Sequence, residues 1–389
     1  MINRPDYIAA IEPFIDKPLV KILAGIRRCG KSTIFEMLRE ELLRRGIGED
    51  QIICKRYTEM DIPENITAKQ MYDELTAAMA GKGHCYLLLD EIQEITGWEK
   101  AVNSLLESAD ADIYVTGSNS KLMSSEISTY LTGRYVSIPV YTLSFKEYLD
   151  FKADSTLSRR ELLEEYIRFG GFPIIALSEY DEQSAYQIVN GIYHTVVSRD
   201  IVKRHRINKQ DLFDRVVKYI IENMGKTFSA NSISTFLKSE HRKVSVESIY
   251  NYLRWLEQAL IIYPCERYDL QGKSILKTQE KYYLADVSLK YALLGYNRKM
   301  LDGAMENIVY LELKRRGYDV YIGKNDTKEI DFVATRRDER IYVQVCVRIP
   351  EASDREVRNL MEIRDHYPKY VVTLNEMDTG IEDGIRIVH

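Results

Sequence analysis

The octapeptide GIRRCGKS at residues 25–32 decides how this chain is expected to fold. It matches G-x-x-x-x-G-K-[ST] at each fixed position, a pattern typical of a loop that binds nucleotide phosphates. The preceding residues 19–24, LVKILA, are apolar enough to form a buried strand. Residues 33–45, which follow, carry apolar side chains at helical spacing. Strand, glycine-rich loop and helix therefore occur in the order that a P-loop requires.

Each part of this loop has a physical task in binding ATP. Glycines let backbone N–H groups turn toward phosphate oxygens, and the amino end of the following helix adds partial positive charge. Lys31 is expected to reach the β- and γ-phosphates, and Ser32 to bind Mg²⁺. Gly46 stands where a glycine ends a helix. The residues predicted to contact ATP are Gly25, Ile26, Arg27, Arg28, Cys29, Gly30, Lys31, Ser32 and Thr33.

The segment HCYLLLDEIQ at residues 84–93 supplies two carboxylates for the same site. Its apolar residues 86–89 predict a core strand that ends in Asp90 and Glu91. Asp90 is expected to hold Mg²⁺ through its water shell, and Glu91 to act as general base on the attacking water. An ordinary strand with an acidic turn is the alternative, which the preceding P-loop disfavours.

Polar residues follow a third predicted strand, residues 112–116. Asn119 is the predicted contact to the γ-phosphate or the attacking water, and Ser118 is the alternate. A turn selected for its backbone geometry is the competing interpretation. Arg134, in LTGRY, is a candidate charge sensor or arginine finger, or else a solvated arginine.

Composition limits the class of protein. The 389 residues predict two or three domains, and 45% apolar with 29% charged residues is typical of a globular chain with a core. The net charge of −5 means that nucleic-acid contact needs a local basic patch. No signal peptide and no apolar run near the ~20 residues of a membrane span are found, which predicts a cytoplasmic protein without membrane contact. The five cysteines lack metal-site spacing and are expected to be free thiols.

The chain resembles the AAA+-type ATPases of bacteria and archaea that join an AAA_14 domain to a DUF4143 region. The resemblance implies an α/β P-loop NTPase core with a RecA-like parallel sheet at residues 1–140 and a helical lid at 141–205. It further implies a winged helix at 206–270 and a domain similar to PD-(D/E)xK nucleases at 271–389. The matching stretches are DKPLVKILAGIRRCGKST, LLLDEIQ, TGSNSKLMSSEISTYLTGRY, LSFKEYL, FGGFP, SRDIVKR, KYYLADVSL, ENIVYLELKRRGYDVYIGK and EIDFVA.

The resemblance also assigns two polar residues near the nucleotide. It places Asn119 at the sensor-1 position, and it makes Arg199, in SRDI, a candidate second arginine. Arg199 pairing with Asp200 or with a neighbouring helix is the alternative.

Residues 206–270 also carry a pattern of their own. Two helical runs at 230–238 and 246–256 have helix-turn-helix spacing, and the apolar run 259–263 is a candidate wing. The surface is only modestly basic, so DNA contact and an internal or protein-contact role both stay open. The candidate groove-facing residues and their basic neighbours are Lys238, Arg242, Lys243, Ser245, Ser248, Asn251 and Arg254.

The C-terminal pattern is that of a metal-dependent nuclease core with two replacements. Glu306 and Asp331 stand at acidic positions, but Gln344 occupies the third acid position and Cys346 the lysine position. Glutamine lacks the negative charge that Mg²⁺ prefers, and cysteine has no ammonium to stabilise developing charge. A degenerate, inactive nuclease fold is therefore expected.

Together these patterns predict an ATPase that uses ATP and Mg²⁺ and acts with an unidentified macromolecular partner. A nucleotide-gated switch with little turnover and an ATP-regulated nuclease are the alternatives. Nucleic acid, another protein or a second copy of the chain remain candidate partners, and the oligomeric state stays open.

Overall fold

The computed structural model describes residues 3–59, 66–123, 125–205, 207, 209–239, 242, 244–297, 301–349 and 355–389. The chain divides into two compact units. The first comprises Met1–Ala153, Phe172–Leu177 and Gln258–Leu260. The second comprises Asp154–Gly171, Ser178–Glu257 and Ile261–His389. Among the described residues, no helix is both long and apolar enough to cross a bilayer.

A five-stranded sheet forms the centre of the first unit. Its strands lie in the order β2-β3-β4-β1-β5, and all neighbours run parallel. Both faces of β1 and β3 are buried, because every residue of these strands is shielded from solvent. The predicted parallel sheet is thereby confirmed. Its strands are β1 (Val20–Ala24), β2 (Ile52–Arg56), β3 (Cys85–Asp90), β4 (Ala111–Gly117) and β5 (Tyr135–Pro139).

Helices cover this sheet and complete its core. In the helix after the loop, Ile34, Met37, Leu38 and Leu42 are buried, which is the apolar face expected from their spacing. Gly46 follows that helix with φ of 89°, a left-handed conformation that glycine adopts without strain. The helices are α1 (Pro5–Ile11), α2 (Lys31–Arg44), α3 (Ala68–Met79), α4 (Trp98–Ser108), α5 (Ser125–Tyr130) and α6 (Phe145–Phe151).

Helices also make up most of residues 154–258, as their pattern predicts. The FGGFP turn requires glycine, since a Cβ on Gly170 would lie 1.7 Å from Oδ1 of Asp286. The Gly171 N–H donates to the other oxygen of Asp286 at 2.8 Å. The helices are α7 (Arg159–Phe169), α8 (Pro173–Ala176), α9 (Glu182–Val196), a π-helical turn (Val197–Val202), α10 (Lys203–His205), α11 (Gln210–Glu222), α12 (Ala230–Ser239) and α13 (Val246–Gln258).

The strands after α13 belong to a larger sheet. β6 (Ile262–Asp269) and β7 (Ser274–Leu284) form an antiparallel hairpin, but β6 also pairs in parallel with β8 (Asp319–Asn325). The candidate wing at 259–263 therefore leads into a larger sheet. The two helices of the predicted helix-turn-helix are present within two residues of their expected limits.

This larger sheet has eight strands in the order β12-β13-β11-β10-β9-β8-β6-β7. The central strands β8, β9 and β10 are antiparallel, whereas β10 and β11 are parallel. The remaining elements are α14 (Ser288–Leu294), α15 (Leu301–Arg315), β9 (Lys328–Arg336), β10 (Glu339–Cys346), α16 (Arg355–Met361), β11 (Lys369–Thr373), β12 (Gly380–Glu382) and β13 (Ile385–Val388).

Candidate nucleotide-binding site

The P-loop connects the carboxyl end of β1 to the amino end of α2. Gly30, the residue before the helix, has φ of 102°, a conformation that glycine tolerates and other residues rarely adopt. The Lys31 side chain folds back over the loop, and its Nζ donates to the carbonyl oxygens of Gly25 at 2.9 Å and Ile26 at 3.2 Å. The loop is therefore already curled, with an ammonium group at its centre.

Ser32 and Asp90, the two predicted Mg²⁺ ligands, lie in direct contact. Ser32 Oγ donates to Oδ2 of Asp90 at 2.7 Å. The other Asp90 oxygen accepts from the hydroxyl of Thr116 on β4. Arg56 on β2 also donates to Oδ2, over 3.1 Å. A hydroxyl beside a buried carboxylate is a donor set that fits a hydrated Mg²⁺ ion.

Glu91 lies beside the loop in a strained backbone conformation. Its φ is 56°, and its N–H donates to Thr116 Oγ1 at 3.1 Å. Its carboxylate lies 3.4 Å from Arg27 Nη1 and 3.7 Å from Lys31 Nζ. Gln93 Nε2 also donates to it. A non-glycine residue with positive φ is uncommon, and such strain concentrates at functional sites.

Ser118 and Asn119 follow β4 at the same carboxyl edge of the sheet, and both are buried. Ser118 Oγ lies 3.4 Å from Oε2 of Glu91, so the alternate residue touches the predicted general base. The Asn119 carbonyl accepts from the Leu122 N–H and begins a short 3₁₀ turn. Both positions predicted after the third strand thus lie at the edge that carries the loop.

Arg134 does not lie at the P-loop of its own chain, so its predicted role as charge sensor or arginine finger stays a prediction. It precedes β5, and β5 runs parallel to β1 with Tyr135 opposite Val20. Arg134 therefore lies at the amino edge of the sheet, whereas the loop leaves the carboxyl edge. Its guanidinium pairs with Glu107 at 2.6 Å.

Arg199 lies in the π-helical turn of the second unit and is exposed. The neighbouring Asp200 is buried and lies 3.6 Å from Arg204 Nη2. The role of Arg199 near the nucleotide stays a prediction.

Arg4, a residue that the sequence patterns do not single out, donates a hydrogen bond to the P-loop. Arg4, only 2% exposed, donates from Nη1 to the carbonyl oxygen of Cys29 at 2.9 Å. Its Nη2 donates to the Tyr141 carbonyl at 3.0 Å, and its Nε to Glu147 at 2.7 Å. Arg4 thereby ties the loop to the segment after β5, and we define these four residues as the Arg4 clamp.

Replacing Arg4 by Met is expected to weaken ATP binding about 10-fold with a smaller change in kcat. The loss leaves the partly buried Glu147 without its cation, which should cost less than the ~3–5 kcal/mol typical of a fully buried charge. Arg39→Met is the matched control, because Arg39 forms an exposed pair with Glu49 on the same unit and such pairs contribute about 0–1 kcal/mol. ATP titration and chemical unfolding of both variants test this. If Arg4→Met and wild type have equal KM values for ATP, Arg4 does not position the P-loop.

In the second unit the structure brings Glu306, Asp331 and Gln344 to one place. Gln344 Oε1 accepts from the Asp331 N–H at 3.0 Å, and burial together with the negative charge of Glu306 raises the pKa of Asp331. Cys346 lies on β10, the strand that carries Gln344, and burial raises the pKa of its thiol to about 11. Within the described residues no group of three or more His, Cys, Asp or Glu side chains is arranged to hold a metal ion. Sequence reasoning missed Lys281, which lies beside Glu306.

The polar residues of the predicted helix-turn-helix contact one another. Ser248 N–H and Oγ bond to the Ser245 hydroxyl, which caps α13. Arg254 donates to Asn251 at 2.8 Å, and Arg242 pairs with Asp211 at 3.0 Å. Lys238 is exposed near the end of α12, while Lys243 lies outside the described residues.

Comparisons with known proteins agree with this geometry. Residues 17–149 match the AAA_14 family, described as an AAA domain, and residues 160–299 match a domain of unknown function, DUF8612. The Walker-type ATPase PABY2304 of Pyrococcus abyssi has a similar fold, with a TM-score of 0.54 and 15% identity over 75% of this chain and 96% of that one.

Two relatives extend the similarity beyond the AAA domain. An uncharacterized protein of Haemophilus influenzae is 36% identical over 392 residues, covering 100% of this chain and 97% of the relative. The uncharacterized protein MJ1544 of Methanocaldococcus jannaschii is 32% identical, covering 87% of this chain and 77% of the relative. The chain therefore belongs to the family of these two proteins and carries the AAA domain of a P-loop ATPase.

Proposed function

We propose that this chain binds Mg·ATP at its P-loop and hydrolyses it to ADP and phosphate. One observation carries the proposal. Ser32 Oγ donates to Asp90 Oδ2 at 2.7 Å. Glu91, the residue after Asp90, places its Oε1 3.7 Å from Lys31 Nζ. A cation ligand pair, a phosphate-binding ammonium and a base thus meet at one edge of the sheet. This is the minimum that phosphoryl transfer to water needs.

Each residue has a defined role in this proposal. The loop amides and Lys31 bind the phosphates and orient the γ-phosphate. Ser32 and Asp90 would hold Mg²⁺, which neutralises charge between the β- and γ-phosphates when it is bound. Glu91 accepts a proton from the attacking water, and Asn119 or Ser118 positions that water.

A nucleotide-gated switch with little turnover is the second candidate, and the contacts of Glu91 favour it. The same carboxylate oxygen of Glu91, Oε2, lies within hydrogen-bond reach of Arg27, Gln93 and Ser118. These donors hold the carboxylate in one orientation, so it can accept a proton only from a water that reaches Oε1, the oxygen 3.7 Å from Lys31 Nζ, unless a partner is released. If the Glu91 carboxylate keeps all of these partners and no water reaches it, bound ATP is not hydrolysed and the chain acts as a switch.

Completion of the site by a second copy of the chain is part of the proposal. An arginine supplied in trans can add about 10³–10⁵-fold to the rate in related NTPases. Arg134 and Arg199 are the candidates. Arg134 is 36% exposed and lies away from its own loop, so only a neighbouring copy could use it.

The C-terminal region, predicted as DUF4143 and nuclease-like, is proposed to be inactive as a nuclease. Gln344 donates to the Glu356 carboxylate at 2.6 Å and accepts from the backbone N–H of Asp331, so the glutamine links Glu356 to the backbone of β9. The predicted winged helix, residues 206–270, is the proposed contact to a macromolecular partner, either nucleic acid or protein. The lid role of residues 141–205 is proposed on the resemblance alone.

A turnover measurement tests the proposed function. Phosphate release from Mg·ATP is measured for wild type and Lys31→Met, each with and without double-stranded DNA, and particle mass is determined with ATP present. Wild type is expected to release phosphate at least about 100-fold faster than the variant, in line with the loss of a transition-state ammonium. A wild-type rate equal to that of Lys31→Met under all these conditions would reject the ATPase.

A further inference from the structure

A cluster of acidic groups, of which Asp331 is buried and the others are partly buried, lies in the second unit. Glu306 comes from α15, Glu329 and Asp331 from β9, and Glu356 from α16. We define these four residues as the acidic cluster. Close carboxylates repel one another, and burial makes the charged form of each one costly. Burial, followed by the charge of Glu306, raises the pKa of Asp331 well above its usual range.

Lys281, on β7, places its ammonium inside this cluster. Its Nζ lies 2.8 Å from Oε1 of Glu329 and 3.2 Å from Oε2 of Glu306. The lysine side chain is only 4% exposed. The attraction of Glu306 and Glu329 offsets the cost of burying the Lys281 ammonium. Lys281 is therefore a charged lysine held in the interior by carboxylates.

The oxygens that a metal ion would need are already engaged by the protein. Oε2 of Glu306 accepts from Lys281 and, at 3.1 Å, from the Tyr283 hydroxyl. Oδ2 of Asp331 accepts from the Val345 N–H at 2.8 Å. Mg²⁺ requires near-octahedral oxygen ligands at about 2.0–2.1 Å, and the Lys281 ammonium, 2.8 Å from Glu329 and 3.2 Å from Glu306, takes the place between these carboxylates. The residues present therefore do not fit the divalent ion that a nuclease-like core implies.

We propose that the Lys281 ammonium is the permanent counter-ion of the acidic cluster and occupies the position of a divalent cation. The second unit thus carries its own cation and needs no metal to fold. Removing the ammonium while keeping the carboxylates should create a divalent-cation site that wild type lacks. The inference is independent of the ATP site, because all of its residues belong to the second unit.

Lys281→Met tests this proposal, with Lys328→Met as matched control. Lys328 lies on β9 and forms a surface pair with Glu362, at 37% exposure. Thermal unfolding of the full chain is followed with and without millimolar Mn²⁺, so any Mn²⁺ bound at the P-loop is common to all samples. Lys281→Met is expected to unfold about 10 °C lower than wild type, because a buried ion pair loses one partner. Beyond any Mn²⁺ shift that wild type and Lys328→Met share, Mn²⁺ should recover about half of the loss in Lys281→Met.

The double variant Lys281→Met/Glu306→Gln covers the case in which Lys281→Met does not fold. Removing one carboxylate together with the ammonium restores the charge balance, so this variant should fold and unfold within about 5 °C of wild type. An equal Mn²⁺ shift in wild type and Lys281→Met would overturn the proposal, as would wild-type stability of Lys281→Met. Failure of both the single and the double variant to fold would also overturn the proposal. It would show that Lys281 stabilises the second unit by something other than its charge.

Discussion

Replacement of Glu91 by Gln is expected to lower ATP turnover by about 100- to 1,000-fold and to leave ATP affinity almost unchanged. Glutamine keeps the size of the side chain and can still contact Arg27 and Gln93, but it cannot accept a proton from water. General-base catalysis typically contributes about 10²–10⁴-fold to a rate. Because binding rests on the loop amides and Lys31, the variant should retain ATP. Phosphate release and equilibrium ATP binding are the two measurements.

Glu94→Gln is the control that separates proton transfer from the ion pairs around the loop. Glu94 pairs with the same arginine, Arg27, at 3.3 Å, but it is 37% exposed and follows the catalytic position by three residues. Its replacement should change turnover less than about 3-fold, as expected for an exposed pair. If Glu94→Gln loses as much activity as Glu91→Gln, the Arg27 pairing and not the base controls the rate.

Replacement of Gly25 by Ala is expected to raise the Kd for ATP by at least about 10-fold and to destabilise the first unit. A Cβ at this position would lie 2.0 Å from the carbonyl oxygen of Val140 and 2.8 Å from Sγ of Cys29. The Val140 N–H already bonds to the Ala24 carbonyl at 2.7 Å, so the two segments cannot separate freely. Relieving such overpacking typically costs about 1–3 kcal/mol, and it displaces the loop amides that bind phosphate.

Gly46→Ala is the control for general loss of stability. Gly46 also has positive φ, so alanine is strained there, but no heavy atom lies within 4 Å of its added Cβ. This variant should lose about 1 kcal/mol of stability and keep wild-type ATP affinity. Unfolding curves and ATP titrations are compared for both variants. Wild-type affinity in Gly25→Ala would mean that the loop tolerates displacement and that its close packing is unimportant.

Local sequence patterns predicted the centre of the nucleotide site because each part of it is encoded by neighbouring residues. The buried strand β1, the glycines of the loop and the apolar face of α2 are contiguous. The strand that ends in Asp90 needs only four apolar residues before a pair of acids. Parallel pairing then brings these strand ends to one edge, so Ser32 and Asp90 meet although 58 positions separate them.

Other contacts depend on the topology of the first unit. The Arg4 clamp joins residues 143 positions apart, and no local spacing indicates it. Arg56 reaches Asp90 only because β2 pairs in register with β3, with these two residues opposite each other. Arg134 was expected near the nucleotide because it follows the GSNSK turn along the chain. It precedes β5, however, and a residue before a parallel strand lies at the edge opposite the site.

In the second unit, too, contacts between elements distant along the chain were not predicted from local patterns. The spacing of Glu306, Asp331 and Gln344 indicated residues that lie together, since α15, β8, β9 and β10 follow one another along the chain. Lys281 was missed because it lies on β7, before the segment that carries this spacing. The sheet order places β7 at the edge next to β6, and only that arrangement brings the lysine beside Glu306.

A single-turnover measurement tests most directly whether this chain hydrolyses ATP. The purified chain is mixed in excess over Mg·ATP, and ADP formed at the site is quantified over time, which avoids any limit set by slow ADP release. Glu91→Gln runs beside wild type. Wild type is expected to convert its bound ATP to ADP at least about 100 times faster than Glu91→Gln. Recovery of the ATP unchanged from wild type, at the level of the variant, would contradict hydrolysis and leave ATP as a bound ligand only.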